Sequence, residues 1–167
     1  MVKSYPMELE ALEVTKNVHQ AVRDRGLTLS VAESCTGGLV SHYITALPGA
    51  SIFFLAGIVS YSAGTKKDIL GIVPETIANH GAVSDETARE MAEKVRLLTK
   101  TDCSVSTTGN LGPDVMEGKE KGLVYIAASK EGMTISRELN LPGNRTDNKE
   151  KAALAALRLL VELLEAE

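Results

Sequence analysis

The stretch Leu27-Thr28-Leu29-Ser30-Val31-Ala32-Glu33-Ser34-Cys35-Thr36-Gly37-Gly38 decides the fold. Leu27 to Ala32 is a short β-prone run, and Glu33 to Gly38 is a polar, glycine-bearing turn. Leu39, Val40, Tyr43, Ile44 and Leu47 then recur at helical spacing until Pro48-Gly49 closes the pattern. A strand that feeds through a polar turn directly into a helix is the first half of a βα unit. Upstream, Leu9, Leu12, Val18 and Val22 predict a helix over Met7 to Arg25, with Gly26 as its stop. Downstream, Phe54 to Ser60 reads as a strand leading into Tyr61-Ser62-Ala63-Gly64-Thr65-Lys66, with a short helix continuing through Leu70. Pro74 to His80 suggests another short helix with Pro74 in its first turn. Ser84 suits the N-cap of a longer helix from Asp85 to about Lys100, whose apolar stripe is Ala88, Met91, Ala92 and Val95.

The rest of the chain repeats this alternation and then departs from it. Cys103 to Thr107 predicts a strand running into the loop Thr108-Gly109-Asn110-Leu111-Gly112-Pro113-Asp114. Gly122 to Ser129 and Met133 to Leu139, split by Lys130-Glu131-Gly132, predict a hairpin. Pro142-Gly143-Asn144-Arg145 reads as a turn, and Asp147 to Glu165 as a long helix with a Leu/Ala face. Strands alternating with helices, closed by one hairpin, predict a single α/β domain over residues 1–167. The architecture expected is a three-layer α/β/α sandwich with a mixed, mostly parallel sheet, in which the late hairpin makes one strand antiparallel. Ligands of such sheets sit beyond the carboxyl ends of parallel strands, so loops 33–38, 61–66 and 108–114 are expected to converge.

Composition excludes several classes. The 167 residues are 44% hydrophobic and 24% charged, which is neither disordered nor collagen-like. Lys plus Arg number 18 against 22 Asp plus Glu, a net charge of −4, so a general polyanion binder is not expected, although a local basic pocket for a small phosphate fits. Cys35 and Cys103 stand far apart and His19, His42 and His80 stand singly, which offers no metal-ligand spacing. No metal or cofactor is expected. The opening MVKSYPMELE lacks the apolar run of a signal peptide, and no stretch approaches a membrane span, so the cytoplasm is the expected compartment, with neither membrane nor nucleic acid as partner.

Chemistry concentrates at a few positions. Ser34 lies between strand and helix, where free backbone N–H groups could meet a developing oxyanion if its hydroxyl is a nucleophile. The same turn could hold a phosphate, and Ser34 or Thr36 could equally cap the helix. Cys35 is the rival nucleophile, but no partner stands at a recognisable spacing, and a free Cys commonly packs as a small hydrophobe. A serine nucleophile needs a proton acceptor, and Lys66 held neutral in a dry pocket could serve, with Tyr61 relaying the proton or orienting Ser34. Lys67 is the internal control, expected to be exposed. Thr107 to Asp114 offers backbone N–H groups and hydroxyls to a ligand. Arg145 at a helix start faces an unfavourable dipole and calls for an anion.

These residues fall in an ordered series of motifs. Ala32-Glu33-Ser34-Cys35-Thr36-Gly37-Gly38 resembles the AESCTGG signature of the CinA C-terminal domain family, the nicotinamide-nucleotide amidohydrolases. Val59 to Lys66 resembles V-x-Y-S-N-E-x-K and His80 to Ser84 resembles HGAVS. Thr108 to Asp114 is similar to T-G-I-A-G-P-D, Gly122 to Ala127 to G-x-V-Y-x-A, and Gly143-Asn144-Arg145 to G-D-R. The resemblance covers about residues 8 to 164. It implies an α/β/α fold with a mixed five-stranded sheet, and hydrolysis of the carboxamide of nicotinamide mononucleotide to nicotinic acid mononucleotide and ammonia. It also implies Ser34 as nucleophile with Lys66 and Tyr61 completing the catalytic group. Glu33, Thr36, Gly37, Thr108, Gly109 and Arg145 are implied to hold the pyridine nucleotide, and self-association is implied as well. Many members carry an additional N-terminal domain, whose activities are not expected of this chain. Ala63-Gly64, Asn110-Leu111, Val115-Met116 and Asn144 depart from the family pattern. The alternative they raise is a catalytically weak or silent nucleotide-binding module of the same fold.

Overall fold

Leu29–Glu33 forms the first strand, β1, and every one of its residues is buried, as befits a central strand covered on both faces. The computed structural model describes residues 7–166. In chain order the elements are α1 (Leu9–Asp24), β1, α2 (Leu39–Ala46), a short 3-10 turn at Ala50–Ile52, β2 (Phe54–Val59), α3 (Ala63–Asp68), α4 (Pro74–His80), α5 (Asp85–Thr99), β3 (Cys103–Gly109), β4 (Leu123–Lys130), β5 (Met133–Asn140) and α6 (Arg145–Glu165). The sheet order is β2-β1-β3-β4-β5. β1 pairs in parallel with β2 and β3, while β4 is antiparallel to both β3 and β5. Four strands therefore point one way and only β4 opposes them, as the hairpin predicted.

One helical layer is α5 with α4; the other is α2 and α6, with α1 packed on α6. Alternation along the central strands divides the core. Leu29, Val31, Cys103 and Val105 join α1, α2 and α6 in the larger cluster, whereas Ala32 meets Leu70, Ile72, Met91 and Val95 on the other face. The α5 stripe read from sequence is buried throughout. Its Ala88 and Ala92 let the helix approach closely enough for Ser106 and Ser104 of β3 to donate hydrogen bonds to their carbonyl oxygens. These buried hydroxyls thereby find partners without breaking the apolar layer.

Several element boundaries shift by a residue or two from the sequence reading, and three of these shifts have a clear structural reason. α3 begins at Ala63 because Ser62 and Thr65 form a reciprocal capping box, so Lys66 lies inside the helix rather than in the loop before it. β3 continues to Gly109 because Thr108 and Gly109 pair with Tyr125 and Val124 of β4, a partner distant in sequence. α6 begins at Arg145, not Asp147, because the Asn144 side chain accepts the Asp147 N–H at 2.9 Å.

Register brings the strand ends level. Glu33 is opposite Val59 on one side and Thr107 on the other. β5 runs in the same direction and delivers the chain to Arg145 at the same edge of the sheet. Four connections, after β1, β2, β3 and β5, thus share one end of the domain.

Candidate active site

Ser34 is the first residue beyond β1 and only 7% exposed. Its hydroxyl oxygen lies 2.8 Å from Lys66 Nζ. Lys66 is 1% exposed, and its Nζ also donates to the Ser60 carbonyl at 2.9 Å. Burial lowers the Lys66 amine from 10.5 to about 8, against smaller upward pulls from Cys35 and then Glu117. With one N–H held by Ser60, a neutral amine has its lone pair free for the Ser34 hydroxyl. Lys67, one position on, is exposed, as a helix that turns one flank inward requires.

The turn that carries Ser34 is built by Glu33. This side chain is 0% exposed and accepts five hydrogen bonds: from Thr36 Oγ1, from the N–H groups of Gly38, Val40 and Ser41, and from Ser41 Oγ. Two of these donors, Val40 and Ser41, are first-turn amides of α2, whose N-cap Gly38 has no side chain to offer. Glu33 therefore caps α2 from beneath, and neither Ser34 nor Thr36 does so. The sequence reading sets Glu33 against substrate; the structure shows its oxygens occupied by these five donors and buried. Thr36 is likewise interior, bonded to Glu33 and to Thr107 Oγ1 at 2.7 Å each, so its hydroxyl shapes the turn instead of meeting a ligand.

Backbone amides of the turn divide in the same way. Gly37 N–H closes the turn onto the Ser34 carbonyl at 3.0 Å, which removes it from any oxyanion hole. The N–H groups of Cys35 and Thr36 enter no hydrogen bond among the described residues. Cys35 itself belongs to the main core cluster, and burial pushes its thiol up to about 12 despite a hydrogen bond from Thr107. A thiol in that state is a packing group, not a thiolate nucleophile.

Tyr61 is 55% exposed and its hydroxyl accepts from Arg145 Nη2 at 2.8 Å. No hydrogen bond joins it to Ser34 or Lys66 among the described residues, so the direct relay expected of it is not formed here. Arg145 Nη1 donates to the Gly112 carbonyl at 2.7 Å, tying α6 to the β3–β4 loop. Thr108, expected to hold substrate, is buried, and its hydroxyl donates to the Ala82 carbonyl at 2.7 Å. Gly109 lies within β3, where a Cβ would stand 2.6 Å from Val124 Cγ2, so glycine is needed there for strand packing. Gly37 adopts φ +57°, and its missing Cβ would lie 3.5 Å from Lys149 Nζ.

Sequence reasoning missed three participants. The Ser60 carbonyl positions Lys66, and the Ser60 hydroxyl beside it is buried with no partner among the described residues. Glu117 accepts from the N–H groups of Ala82 and Val83, at 2.7 and 3.2 Å, and pairs with Lys119, thereby fastening the β3–β4 loop over the start of α5. Although burial pushes the Glu117 carboxyl up, those two amides and Lys119 outweigh it and hold the group below its ordinary value. The third is Lys149, whose ammonium lies 3.5 Å from where a Gly37 Cβ would stand, a contact between α6 and the β1–α2 turn that no local pattern signals. A surface groove of about 550 Å³ between α1 and α6 shares no residue with this site. Among the described residues, no helix is long and apolar enough to cross a membrane, and no three His, Cys, Asp or Glu side chains group as metal ligands.

Comparison with known proteins sets this arrangement in a family. The family described as CinA C-terminal domain matches residues 11–164. Over 152 residues the chain is 43% identical to a competence-damage inducible protein of Bacillus velezensis, and over 152 residues 40% identical to that of Bacillus subtilis. Each match covers 91% of this chain, but the chain spans only 36% of the length of those curated relatives. Among solved structures, a CinA superfamily protein from Enterobacter cloacae superposes with TM-score 0.90 at 35% identity, covering 99% of both chains. A competence/damage-inducible protein from Agrobacterium tumefaciens gives 0.90 at 31% identity, over 97% of this chain and 99% of the other. With the family model matching residues 11–164, curated relatives at 40% identity or more over 91% of the chain, and solved members of the same fold, the chain belongs to the CinA C-terminal domain family.

Proposed function

We propose that this domain hydrolyses the carboxamide of a pyridine nucleotide, nicotinamide mononucleotide, with Ser34 as nucleophile and Lys66 as general base. The observation that carries the proposal is the 2.8 Å contact between Ser34 Oγ and the amine of a lysine that burial has lowered to about 8. Lysines are rarely buried without a carboxylate, and a depressed amine beside a hydroxyl is what proton abstraction near neutrality requires. Neutral Lys66 takes the Ser34 proton as Oγ bonds to the amide carbon, and the negative charge passes to the amide oxygen. The N–H groups of Cys35 and Thr36, which meet no carbonyl among the described residues, are the donors this step would use for that oxygen. Lys66 returns the proton to the departing nitrogen, ammonia leaves, and a water activated by the same amine hydrolyses the ester at Ser34. Tyr61 and Arg145, bonded to one another at the mouth, orient the rest of the nucleotide.

The test is ammonia release from nicotinamide mononucleotide by the native chain, the Ser34→Ala variant and the Lys66→Ala variant. Turnover is expected from the first alone. Turnover that persists in Ser34→Ala and vanishes in Cys35→Ala would transfer the reaction to the thiol. One observation favours a nucleotide-binding module instead: Ala63 and Gly64 open α3 beside the site with no functional side chain. Saturable binding of nicotinamide mononucleotide with no ammonia over hours would select that reading.

A further inference from the structure

We infer that Glu117 is a positioning residue of the Ser34–Lys66 site: its carboxylate clasps the β3–β4 loop onto residues 80–83 and supplies a negative charge that acts on the Lys66 amine. The inference deepens the amide-hydrolysis reading and rests on it for its kinetic readout only. Residues 80–83 take no part in the proposed reaction, yet the loop holds their backbone closely. Glu117 accepts the Ala82 and Val83 N–H groups, while Lys119 Nζ donates to the His80 carbonyl at 2.8 Å and to the Val83 carbonyl. Thr108, just before the loop, takes the Ala82 carbonyl. Gly81 adopts φ +87°, and a Cβ there would collide with the Glu117 carboxylate and stand 2.8 Å from Lys119 Nζ, so only glycine admits the pair. Glu117 itself holds φ +61°, a left-handed conformation uncommon for a residue with a Cβ, which persists where surrounding bonds enforce it.

The clasp is joined to the site through β3. Thr107, next to Thr108, accepts the Ser34 N–H on its carbonyl at 3.0 Å. The first half of the loop is fixed separately, with Arg145 on the Gly112 carbonyl and Asn148 on the Leu111 carbonyl. Burial is the chief influence on Lys66, and Cys35 and then Glu117 pull it up. Cys35 stays a neutral thiol up to about 12, which leaves Glu117 to exert that pull at pH 7. The other charged neighbours are accounted for. Glu33 on β1 is surrounded by five donors, and Lys67 and Asp68 on α3 face solvent. Lys119 stands 3.2 Å from Glu117, and His80 and Glu86, on α4 and α5, pair with one another at 3.3 Å. A carboxylate near a poorly solvated amine favours its protonated form, so Glu117 raises the pH at which Lys66 becomes a base.

The experiment follows three quantities in the native chain, Glu117→Gln, Lys119→Met and Glu120→Gln. They are the NMR titration of the Lys66 Cε resonance, hydrogen exchange at the Ala82 and Val83 amides, and the pH profile of kcat/KM for nicotinamide mononucleotide. Glutamine keeps the shape and an acceptor but loses the charge. Glu117→Gln should speed exchange at the two amides by roughly 5- to 30-fold. It should also move the Lys66 titration, and the kcat/KM inflection with it, down by roughly 0.3–1 pH unit. Lys119→Met loosens the same loop but leaves the carboxylate, so exchange should speed without any downward shift. Glu120→Gln deletes an equal charge at an exposed position with no side-chain hydrogen bond among the described residues, and should alter none of the three. Unchanged exchange in Glu117→Gln, a Lys66 titration that stays or rises there, or a downward shift shared by Glu120→Gln overturns the inference. A solely structural clasp gives the second of these, with activity falling alike in both clasp variants. Absence of turnover in the native chain removes the catalytic reading and not this one, because the resonance and the exchange rates need no substrate.

Discussion

Glu33 and Lys66 are both ionisable and both buried, one at the end of β1 and the other in the helix that follows the adjacent strand β2, yet the molecule treats them oppositely. Glu33 receives five donors, from two side-chain hydroxyls and three backbone amides. Lys66 has a carbonyl and a serine hydroxyl, and no carboxylate within ion-pair distance among the described residues. Saturating an acceptor-only group with donors compensates its lost hydration and makes it a building element. Leaving an amine short of compensation disfavours its charged form and makes it a reagent. The β1–α2 turn is therefore where burial is compensated by donors, and α3 is where burial lowers an amine.

That contrast can be broken most sharply at the nucleophile. Ser34→Ala should lower ammonia release from nicotinamide mononucleotide by at least about a thousandfold, with the urea midpoint little moved. A variant that keeps a tenth of native turnover would end the serine mechanism. Next in size is Glu33→Gln, which sets an amide NH2 among five donors and should cost roughly 2–4 kcal/mol in urea denaturation. An unchanged midpoint would show that the turn does not depend on the carboxylate.

Lys66→Met should act in the opposite direction. In the folded chain the amine is lowered to about 8 from an ordinary 10.5, so between those values the unfolded chain binds more protons and stability rises with pH. Below about pH 8 the full cost is present, roughly 3 kcal/mol for a shift of this size. Removing the amine should raise stability at pH 7 by about 1–3 kcal/mol, after the loss of two hydrogen bonds, and should flatten the rise between pH 8 and 10.5. A destabilised Lys66→Met with an unaltered pH slope would contradict the account of its burial.

The same lowering predicts activity that climbs with pH. About a tenth of Lys66 is neutral at pH 7 and about nine-tenths at pH 9, so kcat/KM should increase about tenfold between them. A flat profile over that interval would assign the proton to another group. The smallest effect is expected next door: Lys67→Ala, at an exposed position, should change stability by less than about 0.5 kcal/mol and leave turnover as it is.

Much of this was legible before any coordinates. The alternation of strands and helices and the single hairpin are local patterns of period 2 and period 3.6, and the five strands lie where those patterns place them. Ser34 and Lys66 stood out by residue type and by family resemblance, and Lys67 is exposed as its role as control required. What the sequence left unread clusters where a side chain or strand reaches a distant partner. Glu33 resembled a substrate ligand because its signature neighbours do, yet its donors lie three to eight positions away along α2. Thr108 and Gly109 looked like loop because only β4, more than a dozen positions downstream, makes them strand. Tyr61 was matched with Ser34, whereas its hydroxyl meets Arg145, 84 positions on.

The sequence by itself determined which segments are strands and helices, the α/β class, the family, and the pair of residues on which amide chemistry is proposed, because each is written in local periodicity or in contiguous motifs. The tertiary structure alone decided that Glu33 is a cap, that burial lowers the Lys66 amine to about 8, and that Arg145 meets Tyr61. Burial and electrostatic environment are sums over neighbours from every part of the chain. They have no value until the parallel register of β1, β2 and β3, and the return of β5, bring four connections to one edge of the sheet.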